Sequence, residues 1–168
     1  MNVVEPGGGE FPSPRARALA GELRATSGAL IAVVAAIDPD HWSLVRKPGE
    51  WSPGKDAEHA VDAAGMHLWH LCLALGVPQA DPPVIERARL TALRSQAELA
   101  ALLRDCAETG AQLIENLSDA QLELPARPLR RPPRTVADII ERPLIRHLAT
   151  HREAIELKLR AARRHSSR

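Results

Sequence analysis

The sequence predicts an all-α fold, and three features predict it. Alanine, leucine and arginine dominate, there is no tyrosine and only one phenylalanine, and β-branched runs are scarce, which favours helix over sheet. Apolar residues recur at helical spacing through four long segments. Three of these segments open on a capping residue followed by proline, and the fourth opens on an acidic capping box. At 168 residues the chain accommodates one domain with a sizeable core and is too short for two comfortable ones.

Residues 1–12 are rich in Gly and Pro and read as a flexible N-terminal segment. Ser13-Pro14 then starts helix one, in which Leu19, Leu23, Leu30, Val33, Val34 and Ile37 share a face before Asp38-Pro39-Asp40 ends it. The connection to Trp51 holds His41, Trp42, the turn Lys47-Pro48-Gly49 and Trp51 itself. Ser52-Pro53 starts helix two, which runs through His59, Val61, Met66, Leu68, Leu71 and Leu75 to a left-handed stop at Gly76.

Asp81-Pro82 repeats the signature, and apolar residues from Val84 to about Leu117 predict a long helix three with a bend at Gly110. The stretch from Ser118 to Arg134 carries four prolines and reads as a crossover or a loop covering a site. Thr135, with Asp138 three residues on, opens helix four, which is kinked by Pro143 and continues to about Arg163. Residues 164–168 form a basic tail. The expected architecture is a four-helix bundle over residues 13–163, with long connections after helices one and three.

Charge and composition remove several classes of function. The formal charge of +1 gives no global attraction to nucleic acid or an anionic membrane. No stretch is expected to approach the ~20 apolar residues of a membrane span, and the N-terminus lacks the regions of a signal peptide. Cys72 and Cys106 sit in apolar helical patterns without a CxxC spacing, as free buried thiols of a protein in the reducing cytoplasm do. No Ser-His-Asp arrangement, phosphate loop or paired-carboxylate motif stands out.

Histidine carries the chemistry. His147 and His151, four apart on helix four, present two imidazoles side by side, which is half a metal site. His59 is the best third donor, because it shares an inward stripe of helix two with Ser52, Met66 and His70. His70 lies eleven residues further on, about 16 Å along the axis, too far to join the same ion. His67 points partly aside, while His41 and His165 fall in a loop and in the tail.

Three neutral imidazoles leave a divalent metal with open coordination positions, as a catalytic site requires. Zinc is the first choice, and nickel or iron suits the same ligands. Asp56 and Asp62, one turn either side of His59, read either as acceptors that orient its ring or as ordinary surface carboxylates. Arg127, Arg130, Arg131 and Arg134, clustered before helix four where the helix dipole disfavours cations, read either as contacts for an anionic ligand or as a solvated loop, the loop being favoured.

Three stretches together resemble the DinB-like superfamily, the fold of damage-inducible DinB proteins, bacillithiol transferases and mycothiol-dependent maleylpyruvate isomerases. They are Gly49-Glu50-Trp51-Ser52-Pro53 leading to His59, Leu117-Ser118-Asp119-Ala120-Gln121-Leu122, and His147-Leu148-Ala149-Thr150-His151-Arg152-Glu153-Ala154-Ile155. The resemblance spans nearly the whole chain. It implies a four-helix bundle, often dimeric, with a divalent ion held by His59, His147 and His151. It also implies a low-molecular-weight thiol and an electrophile as small-molecule partners, in a thiol-dependent transferase or isomerase. A non-catalytic metal-binding or stress-associated bundle is the rival, and a histidine-rich interaction bundle without metal is a third reading. Lys55 stands where an acidic residue is common, and Arg152-Glu153-Ala154-Ile155 only partly follows the frequent Arg-Gly-Gln-Ile.

Overall fold

Ser13 starts helix α1 (Pro14–Ala35) as its spacing predicts: the hydroxyl accepts from the Arg15 and Ala16 N–H groups, with proline in the first turn. The computed structural model describes residues 12–78, 93–126 and 134–166. Four helices of twenty residues or more account for most of them: α1, α3 (Pro53–Ala74), α4 (Gln96–Glu115) and α7 (His147–Ser166). The fold is all-α apart from the two-residue strands β1 (Pro125–Ala126) and β2 (Arg134–Thr135), which pair antiparallel.

Capping interactions set the direction of each helix. The Ser13 N–H donates to the Leu117 carbonyl at 2.8 Å, and the Ser13 hydroxyl donates to the Asp119 carboxylate. At the other end of α1, the Gln96 amide donates to the carbonyls of Val34 and Ile37 at 2.8 and 2.7 Å. The start of α1 thus meets the end of α4 and the reverse, so the two run antiparallel. Between those ends Arg24 reaches Glu108 at 3.0 Å and Glu115 at 2.7 Å. Such exposed pairs contribute up to about 1 kcal/mol each, so the α1–α4 contact rests on its apolar seam of Leu19, Leu23, Leu30, Leu99, Leu103 and Ile114.

By length and composition α1 is apolar enough to cross a membrane, which corrects the expectation that no stretch approaches that limit. In this fold its apolar face is part of the core: Ala16, Ala20, Leu23 and Leu30 are all buried.

Ser52 caps α3 by accepting from the Lys55 N–H at 3.2 Å, and Gly76 (φ 67°) follows the helix in the left-handed conformation that lets the chain turn away. The connection before α3 is more structured than expected. Asp38 caps a short helix α2 (Pro39–Trp42) instead of only ending α1, and the ring of Trp42 closes over the first turn of α3.

The expected helix three differs at its start. Its Asp81-Pro82 signature and residues 84–92 lie outside the described residues, while Leu93, Arg94 and Ser95 are not helical. A capping box between Ser95 and Glu98 starts α4 there. α4 continues through Gly110, where a side chain would meet Leu23 at 3.2 Å and Leu68 at 3.4 Å. Close approach to α1 and α3 accounts for that glycine, and the helix is uninterrupted there.

After α4, a capping box between Ser118 and Gln121 builds the short helix α5 (Asp119–Leu122). Residues 127–133, with Arg127, Arg130 and Arg131, lie outside the described residues. Thr135 and Asp138 form the predicted capping box on α6 (Val136–Ile139). Where a kink was expected at Pro143, the chain widens into a π-helical segment, Ile140–Arg146, that leads directly into α7. A π-turn accommodates the missing proline N–H and shifts the faces that follow. α7 packs on both α3 and α1, and α3 also meets α4.

Two predictions test this packing. Gly54, in the first turn of α3, has no room for a side chain: a Cβ would stand 2.7 Å from the Trp42 ring and 2.8 Å from the Trp42 carbonyl oxygen. Gly54→Ala should therefore lower stability by about 1–3 kcal/mol, read as a fall in urea midpoint at unchanged slope. Burial in the core pushes the Cys106 thiol from 9.0 up to about 11. The unfolded thiol ionises first, so its stabilising effect, complete below pH 9, should be lost as pH rises towards 11. Denaturant midpoints across that range should fall more steeply for the native chain than for Cys106→Ala.

Candidate metal centre

Three histidines on two helices converge on one point. His59 stands on α3 seven residues after the Ser52 cap, while His147 opens α7 immediately after the π-helical segment, with His151 one turn on. Ring centroids lie 5.3 Å apart for His59–His147, 5.0 Å for His59–His151 and 4.5 Å for His147–His151. One nitrogen from each of the three lies within 4.8 Å of the other two, and each side chain is half-buried. The cluster could hold a metal ion. Nitrogens bound tetrahedrally at about 2.1 Å sit about 3.4 Å from one another, so closing on an ion requires movements of an ångström or so, within reach of side-chain rotation.

The surroundings of His59 favour its neutral, ligating form. Burial, followed by the positive charge that His151 can carry, pushes His59 below its ordinary pKa of 6.5, against the pull of Asp62 and Asp56. Asp56 does not orient His59. Its Oδ1 stands 3.2 Å from Nδ1 of His151, and its other oxygen accepts from the Lys158 ammonium. With Nδ1 donating to a carboxylate, His151 presents its Nε2 lone pair to the cluster, an arrangement common behind metal-bound histidine.

Burial of Asp56 opposes ionisation, but the hydrogen bonds from His151 and Lys158 and their positive charge outweigh it. The net effect holds its carboxyl below the ordinary 3.8. Asp62 has a different task. It forms an ion pair at 2.7 Å with Arg94, whose backbone N–H reaches Glu58, and Glu58 in turn holds Lys55 at 3.1 Å.

Trp51 lies over the cluster, its ring 4.9 Å from His59 edge-on and 6.3 Å from His151, nearly parallel. His67 comes closer than its place on the helix suggested, 6.0 Å from the His147 ring, yet it is outside the group of three. His70 contacts Trp69 instead, and burial lowers its pKa. Lys158 was not foreseen. It follows His151 by two helical turns, so only the stripe His147, His151, Lys158 hinted at it.

The family model of the DinB superfamily matches residues 22–155, which include all three histidines. That superfamily is a metal-binding one. No curated protein and no solved structure matches the chain.

Asp56→Asn keeps the shape of the side chain but removes the charge that holds the His151 tautomer. It should weaken binding of a divalent ion about 10- to 100-fold, measured by competition with a chromogenic chelator. Equal affinity in the variant would show that Asp56 serves only the fold.

Proposed function

Since the chain belongs to the DinB superfamily, we propose that it is a metal-dependent transferase or isomerase whose three-histidine centre activates a low-molecular-weight thiol. The observation that supports this reading is the convergence of His59, His147 and His151, with a carboxylate fixing the tautomer of one of them. In this reading the four long helices are a bundle of the DinB-like type spanning residues 13–163.

A divalent ion, zinc first and nickel or iron with the same donors, supplies Lewis acidity that makes a thiol ionise near neutral pH. The three imidazoles would hold the ion without cancelling its positive charge. His59, His147 and His151 act as ligands and not as acid or base. Asp56 orients His151, and Lys158 keeps Asp56 ionised. Trp51 covers the cluster and excludes water from one side. The thiol proton would leave to solvent, and the thiolate would form a bond to an electrophilic carbon whose displaced electron pair goes to a leaving group or to a conjugated carbonyl oxygen that takes up a proton from solvent. Small-molecule partners and a reducing cytoplasm, where such thiols are abundant, belong to the same reading, as does a homodimer.

Elemental analysis should find about one divalent ion per chain, with His151→Ala losing it; a full complement in that variant would overturn the ligand assignment. Metal-loaded protein with a thiol and a model electrophile should give a conjugation rate well above that of the metal-free protein. No difference would assign the chain to metal or ligand binding without turnover.

A further inference from the structure

A cavity of about 820 Å³ adjoins the histidine cluster, within the roughly 300–1,000 Å³ typical of small-molecule sites. Trp51 and Asp56 line it and also touch the cluster, Trp51 at the ring of His59 and Asp56 at Nδ1 of His151. Ala154, Leu157 and Ala161 recur at helical spacing on α7 and so line it from one face of that helix. The two alanines are small, so the apolar surface that a ligand meets is mostly that of Trp51 and Leu157. These are 43% and 61% exposed, both high for large apolar side chains.

The charged side chains of the lining are already engaged. Lys47 lies 3.5 Å from Glu50, the Lys158 ammonium donates to Asp56, whose other oxygen lies against His151, and Arg46 is engaged as well. An ion entering the cavity would lose hydration and could gain a counter-charge only by displacing one of these partners. An apolar body would instead cover the two exposed apolar side chains. We propose that this cavity binds an uncharged small molecule with an aromatic or branched apolar body, which packs on Trp51 and Leu157. In the thiol-activating reading that molecule is the electrophilic substrate, and this assignment rests on that reading. Its binding does not, because none of the contacts named passes through a metal.

Phenylbutyramide, phenylbutyrate and phenylbutylamine share one body and are neutral, anionic and cationic near neutral pH. They are titrated by calorimetry into the full chain, both metal-loaded and stripped with chelator, and ranked in the stripped chain, where a carboxylate or amine gains nothing from an ion. The amide should bind most tightly, by about fivefold or more over either charged probe. Leu157→Asp should weaken amide binding by about tenfold, and Leu157→Met, which keeps an apolar surface, should hold it within about twofold. Lys47→Gln and Glu50→Gln should each leave it within about twofold. These substitutions fall on exposed side chains, and unchanged circular dichroism would confirm that the variants fold. A charged probe binding as tightly as the amide, Leu157→Asp binding as the native chain does, or no binding of the amide would each overturn the proposal. If the metal reading alone fails, the amide still binds a protein that takes up no ion. If the cavity proposal alone fails, the metal content remains at one per chain and the amide does not bind or does not outrank the charged probes.

Discussion

The carboxylate of Asp56 ties α3 to α7, and the candidate site depends on that tie. A carboxylate 6% exposed is unfavourable unless its oxygens are satisfied, and here α7 supplies both donors. His151 and Lys158 are seven residues apart, about 10.5 Å of helical rise. They reach one carboxylate only because the lysine stem folds back along the helix. Such an arrangement tolerates little rotation of α7 about its axis and little sliding along α3. The face of α7 that meets α3 is therefore held by a polar contact beside the histidine cluster.

From that registration the rest of the site follows. His59 lies one turn after Asp56, so the turn of α3 that carries the carboxylate also brings an imidazole opposite the pair on α7. His147 opens α7 directly after the π-helical segment, whose extra width is needed at Pro143 in any case. The apolar residues of that segment, Ile140, Leu144 and Ile145, are buried, and they anchor the start of α7 in the core. Core packing thus fixes one end of the histidine pair and Asp56 the other. A second polar group, Arg94 with Asp62 and Glu58, fastens the opposite side of α3 to the chain entering α4.

Much of this was legible in the residues themselves, and what was not has physical causes. Helix starts could be read at Ser13, Ser52 and Thr135 because a cap and the first helical turn are neighbours in sequence, and the left-handed stop at Gly76 is equally local. The His147–His151 pair follows from helical spacing alone. Long-range partners could not be read in this way. Asp56 was as well placed to serve His59 on its own helix as His151 on another, and only tertiary packing chose the second. Lys158 carries no local signal that would single it out. Gly110 read as a weak point in a helix, because intrinsic propensity is visible in a sequence and the approach of Leu23 and Leu68 is not. The helix α4 starts at Gln96 behind the cap Ser95, and its capping box was hidden within a longer run of apolar periodicity.

Placing polar groups at this point works against stability, which says something about what the site is for. Three imidazoles within 5.3 Å of one another cannot all be protonated without mutual repulsion, and half-buried neutral rings gain less from burial than leucines of similar size would. The surrounding structure does not relieve that conflict. It sharpens it: burial keeps His59 neutral, the Asp56–Lys158 pair holds one orientation of His151, and Trp51 shields one side of the cluster. Local arrangements that oppose folding while being held by several independent contacts are characteristic of functional centres. Trp51, Asp56 and Lys158, which make those contacts, also line a cavity, so the polar centre stands at the edge of the core.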